Sequence, residues 1–348
     1  MDPWARYARQ MVLPGVGRAG QERLAGAWVA ILGLGALGSA LAASLTRAGV
    51  GGLRLIDRDY LELHNLQRQS LYTEADVAAA LPKAVAAAAH LAAINSGVAR
   101  ESRVVDVTAE NIADLLAGTD LVLDATDNFA ARYLLNDACV QAGRPWIYSG
   151  VLGTAGMVMA VQPGQTACLR CVFPEPPPPG SSPTCETAGV LGPAVQVVAG
   201  LAAAAALQLV LGATPPAGLL ALDVWTGHFD RLGPGAPDPA CPACGRREFA
   251  FLGGGARASL ADTQLCGRQT VQVRVAGGAI DLAPLAARWR ATAPGQVLAN
   301  PYLVRLTLPA PAGAADQTLT LFPDGRAIVQ GTDDPALARS LVARYVGY

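Results

Sequence analysis

Three charged residues, Arg68, Lys83 and Asp127, are of types that together could handle a magnesium-bound triphosphate. Guanidinium and ammonium groups neutralise phosphate oxygens, and a carboxylate oxygen is a hard ligand for Mg²⁺. A dinucleotide carries only a pyrophosphate and needs no magnesium. Each cation alone could equally be a solvated surface charge. Their joint placement therefore favours ATP.

A glycine-rich turn could bind the phosphates. The apolar run 29–32 reads as a strand, and the turn after it opens a helix, whose positive end would face a phosphate. A second apolar strand, 53–56, ends in Asp57, at about the twenty-residue separation typical of an acid that holds a ribose hydroxyl. This combination predicts an adenosine-nucleotide site, and a glycine-rich packing turn is the alternative. The glycines of the turn are Gly33, Gly35 and Gly38.

A parallel sheet is needed to bring these residues together. Asp127 follows the apolar run 120–124, and Lys83 follows Pro82, a residue suited to a helix start. Strands and helices alternate up to residue 149, and ligands bind beyond the carboxyl ends of parallel strands. The predicted fold is α/β, a Rossmann-like doubly wound and mostly parallel sheet. Apolar runs at 157–161 and 219–223 should continue it as a mixed sheet.

The order of the motifs resembles that of the ThiF/MoeB/HesA family, whose members resemble the adenylation domain of ubiquitin-activating enzymes. The motifs are residues 6–10, 33–38, 57–59, 65–69, 82–83 and 124–128. The resemblance runs from about residue 4 to about residue 247. It implies an enzyme that uses ATP and Mg²⁺ to adenylate the C-terminal glycine of a small ubiquitin-like sulfur-carrier protein with a Gly-Gly end. Pyrophosphate would be released, in sulfur transfer for thiamine, molybdopterin or tRNA thiolation.

The resemblance also implies roles for single residues. Asp57 would hold the ribose, Arg68 and Lys83 the phosphates, and Asp127 the magnesium. Arg9 would reach into the partner subunit's site in a homodimer. Ala36 stands where the family usually has Gly, so we expect the backbone there to approach phosphate less closely. The residues implied at the nucleotide site are Gly33, Gly35, Ala36, Gly38, Asp57, Asp59, Asn65, Arg68, Lys83, Asp127 and Asn128.

The implied chemistry asks for positioning rather than proton transfer. A glycine carboxylate is already ionised at neutral pH, so its attack needs no general base. The protein would hold it in line with the α-phosphorus and stabilise charge as pyrophosphate leaves. With three histidines in the whole chain, histidine-based catalysis is not expected.

Four of the seven cysteines form two C-x-x-C pairs that could close a tetrahedral zinc site. They are Cys168, Cys171, Cys241 and Cys244. A redox dithiol and disulfides are the alternatives. The first residues have neither the basic start nor the apolar core of a signal peptide, which predicts a cytoplasmic location and reduced thiols. A structural zinc is the favoured interpretation, and many members of the family that this chain resembles carry one.

Cys185 is the cysteine with a second possible role. It follows a proline- and serine-rich run, 175–183, and precedes Thr187 to Pro193, a neighbourhood that resembles the family's crossover-loop cysteine. In some members that cysteine forms a covalent link with the carrier or takes part in sulfur transfer. An inert loop thiol is the alternative. Cys139 falls on the apolar face of a predicted helix, and Cys266 has nothing nearby to activate it.

Charge and hydropathy narrow the possible partners. A net charge of −1 without basic runs argues against nucleic acid or an anionic membrane. The run 195–212 is long and apolar enough to raise the question of a membrane-spanning helix, but it is rich in alanine and contains Gln196 and Gln208. We predict a buried core helix there.

The chain divides into two predicted domains, 1–252 with the nucleotide and cysteine sites and 256–348 as a small α+β domain. Glycines 253–255 would form the linker. The second domain has strand patterns at 270–275 and 302–308, a hairpin signal at 323–325 and a helix pattern at 335–346. It could dock the carrier or a partner, or only stabilise a dimer.

Three other functions share part of this pattern. An NAD-dependent oxidoreductase would have the glycine turn and Asp57, but it leaves Arg68, Lys83 and Asp127 unexplained, and the sequence lacks a Tyr-x-x-x-Lys pair. A non-catalytic zinc-bound scaffold would be expected to lack one of these charges. A relative that activates a carboxylate on tRNA or on a peptide is the third.

Overall fold

Alternating strands and helices build one large sheet in the first part of the chain. A computed structural model describes residues 2–178, 181, 183–253, 269–275, 280–309 and 316–347. The strands of this sheet are β1 (Trp28–Leu32), β2 (Gly52–Ile56), β3 (Ala99–Arg103), β4 (Leu121–Asp124), β5 (Trp146–Leu152), β6 (Ala155–Val161), β7 (Leu219–Asp223) and β8 (His228–Leu232). Their order is β3-β2-β1-β4-β5-β6-β7-β8. The strands from β3 to β5 pair in parallel, and those from β5 to β8 pair antiparallel, so the predicted mixed sheet is confirmed.

Helices cover both faces of this sheet because its strands are apolar on both sides. Along β1, Val29 and Ile31 pack into one core, and Ala30 and Leu32 into the other. The first core lies beneath α3, α5 and α10, and the second beneath α6 and α7. The helices are α1 (Ala8–Met11), α2 (Gly17–Gly26), α3 (Ala36–Ala48), α4 (Glu74–Ala78), α5 (Lys83–Ile94), α6 (Ile112–Leu116), α7 (Phe129–Ala142), α8 (Leu169–Val172), α9 (Cys185–Ala188) and α10 (Gly192–Val210), with short 3₁₀ turns at Ala5–Tyr7 and Leu63–Asn65.

Helix α10 is long and apolar enough to cross a membrane by length and composition alone. Its buried face includes Val195, Val198 and Ala202, which pack against α3 and the middle strands of the sheet. This packing agrees with the predicted core helix.

The described residues belong to two units, Met1–Arg257 and Ala258–Tyr348. The second unit contains β9 (Thr270–Arg274), α11 (Leu282–Thr292), β10 (Gln296–Asn300), β11 (Leu303–Leu308), β12 (Gln317–Leu321), β13 (Arg326–Gln330) and α12 (Pro335–Tyr345). Its five strands form an antiparallel sheet of order β10-β11-β12-β13-β9. The predicted hairpin joins β12 to β13, with Gly325 at φ +79°. Most of the predicted linker and Cys266 lie outside the described residues.

Candidate active site

The glycine turn joins β1 to α3, and its three glycines have three different reasons to lack a side chain. Gly33 adopts φ +85°, and a Cβ there would lie 2.6 Å from the carbonyl oxygen of Ala125. A Cβ at Gly38 would collide with the carbonyl oxygen of Gly33. Gly35 faces more open space, since the nearest atom to a Cβ there would be Gln69 Nε2 at 3.8 Å. Gly33 and Gly38 shape the turn, and Gly35 leaves room for a ligand.

The N-terminus of α3 opens onto this space. Gly35 is its N-cap, and among the described residues no side chain accepts a hydrogen bond as a cap there. The first turn of α3 carries no acidic residue, and the helix runs for 13 residues. Unsatisfied amides and the helix dipole make such an end attractive to anions.

Asp57 follows β2 and ties the glycine turn to its own loop. One carboxylate oxygen accepts a hydrogen bond from the Leu34 amide at 2.6 Å, and the other accepts one from the Asp59 amide at 2.7 Å. Burial raises the pKa of Asp57, while the neighbouring Lys83 ammonium opposes this shift. A carboxylate can accept about four hydrogen bonds, so these two leave capacity for ribose hydroxyls.

Lys83 is the first residue of α5, and its ammonium lies 3.2 Å from a carboxylate oxygen of Asp59. The Lys83 amide also donates to the carbonyl oxygen of Asp59, which fixes the helix start against the loop after β2. Burial alone would lower the pKa of Lys83, but three carboxylates outweigh that cost and raise it. In decreasing order of effect they belong to Asp59, Asp57 and Asp127.

Asp127 is exposed in a loop that is held on both sides. Before it, the buried carboxylate of Asp124 accepts hydrogen bonds from the amide and the hydroxyl of Thr126, at 2.9 and 2.7 Å. After it, Asn128 caps α7 by accepting a hydrogen bond from the Ala131 amide at 2.8 Å. The loop thus presents the Asp127 carboxylate outward from a rigid frame.

Arg132, which the sequence patterns did not single out, supports the same loop. Its guanidinium donates to the carbonyl oxygen of Thr126 at 2.7 Å and lies 3.6 Å from the Asp124 carboxylate. The rings of Phe129 and Tyr148 lie 5.4 and 5.3 Å from the guanidinium carbon. Its position one helical turn after Asn128 is the only sequence signal that could have indicated it.

Arg68 and Asn65 lie in the segment after β2 that approaches the glycine turn at Gln69. Both side chains form hydrogen bonds within that segment. Arg68 donates to the carbonyl oxygen of His64 at 2.9 Å, and the Asn65 side chain accepts from the Glu62 amide at 3.1 Å. The next residue, Gln69, faces Gly35. Arg68 is therefore beside the turn, while its guanidinium is held within its own segment.

Tyr72 is a second residue that the sequence patterns missed. Its buried hydroxyl donates to the carbonyl oxygen of Leu34 at 2.7 Å and lies 3.3 Å from that of Lys83. It therefore connects the glycine turn to the start of α5. No pattern in the sequence relates these positions.

We call the set formed by the glycine turn 33–38, Asp57, Asp59, Lys83 and Asp127 the charged edge. It lies at the carboxyl ends of β1, β2 and β4, which are neighbours in the sheet. The structure therefore brings these predicted residues together, with Arg68 alongside.

Arg9 and Cys185 are positioned differently. Gln10, next to Arg9, donates to the carbonyl oxygen of Ala48 at the last residue of α3, roughly 18 Å along the helix from the glycine turn. The exposed Arg9 is therefore remote from the charged edge of its own chain.

Cys185 begins α9, and its side chain lies outside what the structure describes. The chain after α9 returns towards Arg68, since a Cβ at Gly192 would lie 3.3 Å from the carbonyl oxygen of Gln67.

The four cysteines of the two C-x-x-C pairs, which we call the cysteine cluster, converge as predicted. Their Sγ atoms all lie within 4.8 Å of one another, with separations of 3.6 Å for Cys168–Cys241 and 3.3 Å for Cys171–Cys244. A tetrahedral zinc with bonds of about 2.3 Å separates its sulfur ligands by roughly 3.8 Å, whereas a disulfide needs about 2.05 Å. The donor set therefore fits zinc. Cys139 is buried in the core, and burial raises the pKa of its thiol, as expected of an inert residue.

Comparison with known proteins gives concordant matches. The family model described as the ThiF family matches residues 7–243. The chain is similar to the sulfur carrier protein ThiS adenylyltransferase of Bacillus subtilis (strain 168), with 41% identity over 344 residues that cover 98% of this chain and 99% of that protein. It is also similar to the sulfur carrier protein adenylyltransferase of Thermus thermophilus, with 43% identity over 247 residues, 69% of this chain and 90% of that protein.

A solved structure supports the fold. The crystal structure of E. coli MccB with MccA-N7isoASN is similar with a TM-score of 0.61 and 23% identity, covering 70% of this chain and 75% of that one. At this identity the similarity concerns the arrangement of strands and helices.

Proposed function

The chain belongs to the ThiF family, and from this premise we propose that it adenylates the C-terminal glycine of a small ubiquitin-like sulfur-carrier protein. It is a nucleotidyltransferase that uses ATP and Mg²⁺ and releases pyrophosphate. The relatives named as sulfur-carrier adenylyltransferases support this substrate class.

The observation that carries the proposal is the charge balance of the charged edge. A buried ammonium, Lys83, is held among three carboxylates beside an open helix N-terminus. A polyphosphate entering at the glycine turn can replace Asp59 as the partner of Lys83, so the ammonium gains a ligand without first being exposed to water. An NAD-dependent oxidoreductase would have no use for this arrangement.

The reaction needs orientation and charge stabilisation. A carboxylate oxygen of the carrier's terminal glycine bonds to the α-phosphorus while the bond from that phosphorus to the bridging oxygen breaks, and pyrophosphate leaves with the electron pair. Asp57 holds the ribose, and Lys83 and Arg68 neutralise phosphate oxygens. Mg²⁺, for which the exposed carboxylate of Asp127 is a suitable hard ligand, supplies further neutralisation of the leaving group when bound.

Other features enter the proposal at a finer level. We infer a homodimer in which Arg9 serves the partner's charged edge, because it lies at the far end of α3 in its own chain. Residues 1–252 would form the adenylation domain, and 256–348 an accessory α+β domain. The cysteine cluster would hold a structural zinc. Cys185 would act on the carrier from the segment that leads to Gly192, which lies beside the carbonyl oxygen of Gln67. We also expect a cytoplasmic location, where free cysteines persist.

Exchange of labelled pyrophosphate into ATP tests this function, with candidate carriers that end in Gly-Gly. We expect exchange that requires both Mg²⁺ and one carrier, and that falls at least about 100-fold in Asp127→Ala. Asp114→Ala is the matched control, since Asp114 is exposed on α6, and it should exchange at the wild-type rate.

Two outcomes would contradict the proposal. Exchange that is absent with every carrier, together with fluorescence enhancement of added NADH, would favour an oxidoreductase. Equal exchange by Asp127→Ala and wild type would remove the assigned role of the carboxylate.

A further inference from the structure

Arg58 is a charged residue that lies inside the motif 57–59, but the proposed mechanism gives it no role. It lies between Asp57 and Asp59, immediately after β2. Its guanidinium lies 3.3 Å from the Asp106 carboxylate and 3.8 Å from that of Asp59. The side chain is 28% exposed, so part of it faces solvent.

The partner of Arg58 comes from the neighbouring strand. Asp106 follows β3, which pairs in parallel with β2, and the Asp57 amide donates to the carbonyl oxygen of Arg103 at the end of β3. The loop after β3 is itself ordered, since the Asn111 side chain donates to the carbonyl oxygen of Asp106 at 2.8 Å. Arg58 therefore bridges the carboxyl ends of two adjacent strands in a fixed position.

A nucleotide bound at the charged edge must extend towards this bridge. In the orientation proposed above, its phosphates would lie at the glycine turn after β1, and its ribose would lie at Asp57 after β2. The sheet order continues from β1 through β2 to β3, so the base, attached on the far side of the ribose, reaches the ends of β2 and β3. Arg58 and Asp106 occupy that place.

We propose that Arg58, oriented by Asp106, is a specificity-determining residue that stacks its guanidinium plane on the purine base of the bound nucleotide. This inference rests on the proposed function, because it takes the nucleotide to be ATP in the orientation given above. Guanidinium is planar and weakly hydrated, so it stacks on aromatic rings while an ion pair holds its edge. The ion pair with Asp106 supplies that edge contact and fixes the plane in advance.

The experiment measures ligand affinity without a carrier, by calorimetry on the full chain. ATP and CTP bind through the same phosphates and ribose, but a purine offers a larger stacking face. We expect Arg58→Ala to weaken ATP binding about tenfold and CTP binding much less, while competition by inorganic tripolyphosphate stays unchanged. Arg58→Lys retains the charge and most of the side chain but lacks the plane, and it should lose most of the same preference for ATP.

Arg103→Ala is the control, since this arginine lies at the end of β3 with its guanidinium 3.6 Å from Glu101. It should bind all three ligands as wild type does. Equal loss of ATP and tripolyphosphate affinity in Arg58→Ala would overturn the inference, because Arg58 would then act on phosphates. Unchanged ATP affinity in both Arg58 variants would overturn it as well. Wild-type protein that binds no ATP would instead contradict the proposed function.

Discussion

The charged edge and the cysteine cluster both gather residues from distant parts of the chain, but they differ in what holds them together. The charged edge combines an ammonium group with carboxylates, so Lys83 and Asp59 already compensate each other without a ligand. The cysteine cluster combines four groups of one kind from pairs 73 positions apart. Ionised thiolates at these separations repel one another unless a cation lies between them.

The charged edge can therefore exchange one charged partner for another, whereas the cysteine cluster is suited to hold a single metal ion permanently. Replacing Asp59 by a phosphate leaves the charge on Lys83 satisfied, so binding and release need no unfolding. Removing zinc from the cysteine cluster would leave four close thiols with no comparable partner. Loss of the ligand should therefore stop activity at the charged edge, whereas at the cysteine cluster it should lower the free energy of unfolding.

The largest expected effect is that of zinc removal. Extraction of zinc by a strong chelator, or Cys168→Ser, should lower the melting temperature by about 10 °C, corresponding to roughly 3 kcal/mol in a unit of this size. Calorimetry measures this shift, and metal analysis should find about one zinc per chain before extraction and none after. Omitting Mg²⁺ and ATP is the control, and with ATP supplied no higher than its dissociation constant it should lower the melting temperature only slightly, because linkage then contributes at most about 0.4 kcal/mol. Equal shifts in both experiments would abolish the contrast between the two regions.

An intermediate effect is expected at the loop that carries Asp127. Arg132→Met removes an ion-pair partner of the buried Asp124 carboxylate and the donor to the Thr126 carbonyl, so the loop loses one of its three supports. We expect the Mg²⁺ concentration for half-maximal exchange to rise about tenfold, with a stability loss of roughly 2 kcal/mol.

Tyr148→Phe keeps the ring beneath the Arg132 guanidinium and should leave the Mg²⁺ dependence as in wild type. Loss of stability in Arg132→Met without any change in the Mg²⁺ dependence would assign Arg132 to the frame of the fold alone.

The smallest expected effect compares one hydroxyl in each region. Tyr72→Phe removes the bond to the Leu34 carbonyl, and Tyr133→Phe removes a similar bond to Phe173, near the cysteine cluster. Each should lower the free energy of unfolding by about 1 kcal/mol. The KM for ATP should rise about fivefold in Tyr72→Phe and stay unchanged in Tyr133→Phe. A KM shift in both variants would show that the two regions are coupled.

The parts of the site that were predictable are local in sequence. The glycine turn, Asp57 and the helix start at Lys83 each follow from residues within one strand–turn–helix unit. Likewise, strand patterns indicated β9 and β11, and the turn signal at 323–325 indicated the hairpin of β12 and β13. The exposed edge strand β8 and the half-exposed strand β10 were not predicted because their residues carry no clear apolar alternation. Helix α11 was not predicted either, although its buried residues Leu282, Leu285, Ala286 and Trp289 have helical spacing.

The fold class, the ligand chemistry and the cysteine donor set could be predicted from the sequence, because residue types and short spacings specify them directly. The folded chain was needed to show that Tyr72 connects Leu34 to Lys83, that Arg132 supports the Asp127 loop and that Arg58 faces Asp106. Tyr72 and Arg58 reach their partners because β2 lies between β1 and β3 in the sheet, and Arg132 reaches Thr126 and Asp124 because α7 starts beside the end of β4. Hydrogen bonds and ion pairs act over about 3 Å in space, whatever their separation along the chain, so the sequence spacing alone cannot specify them.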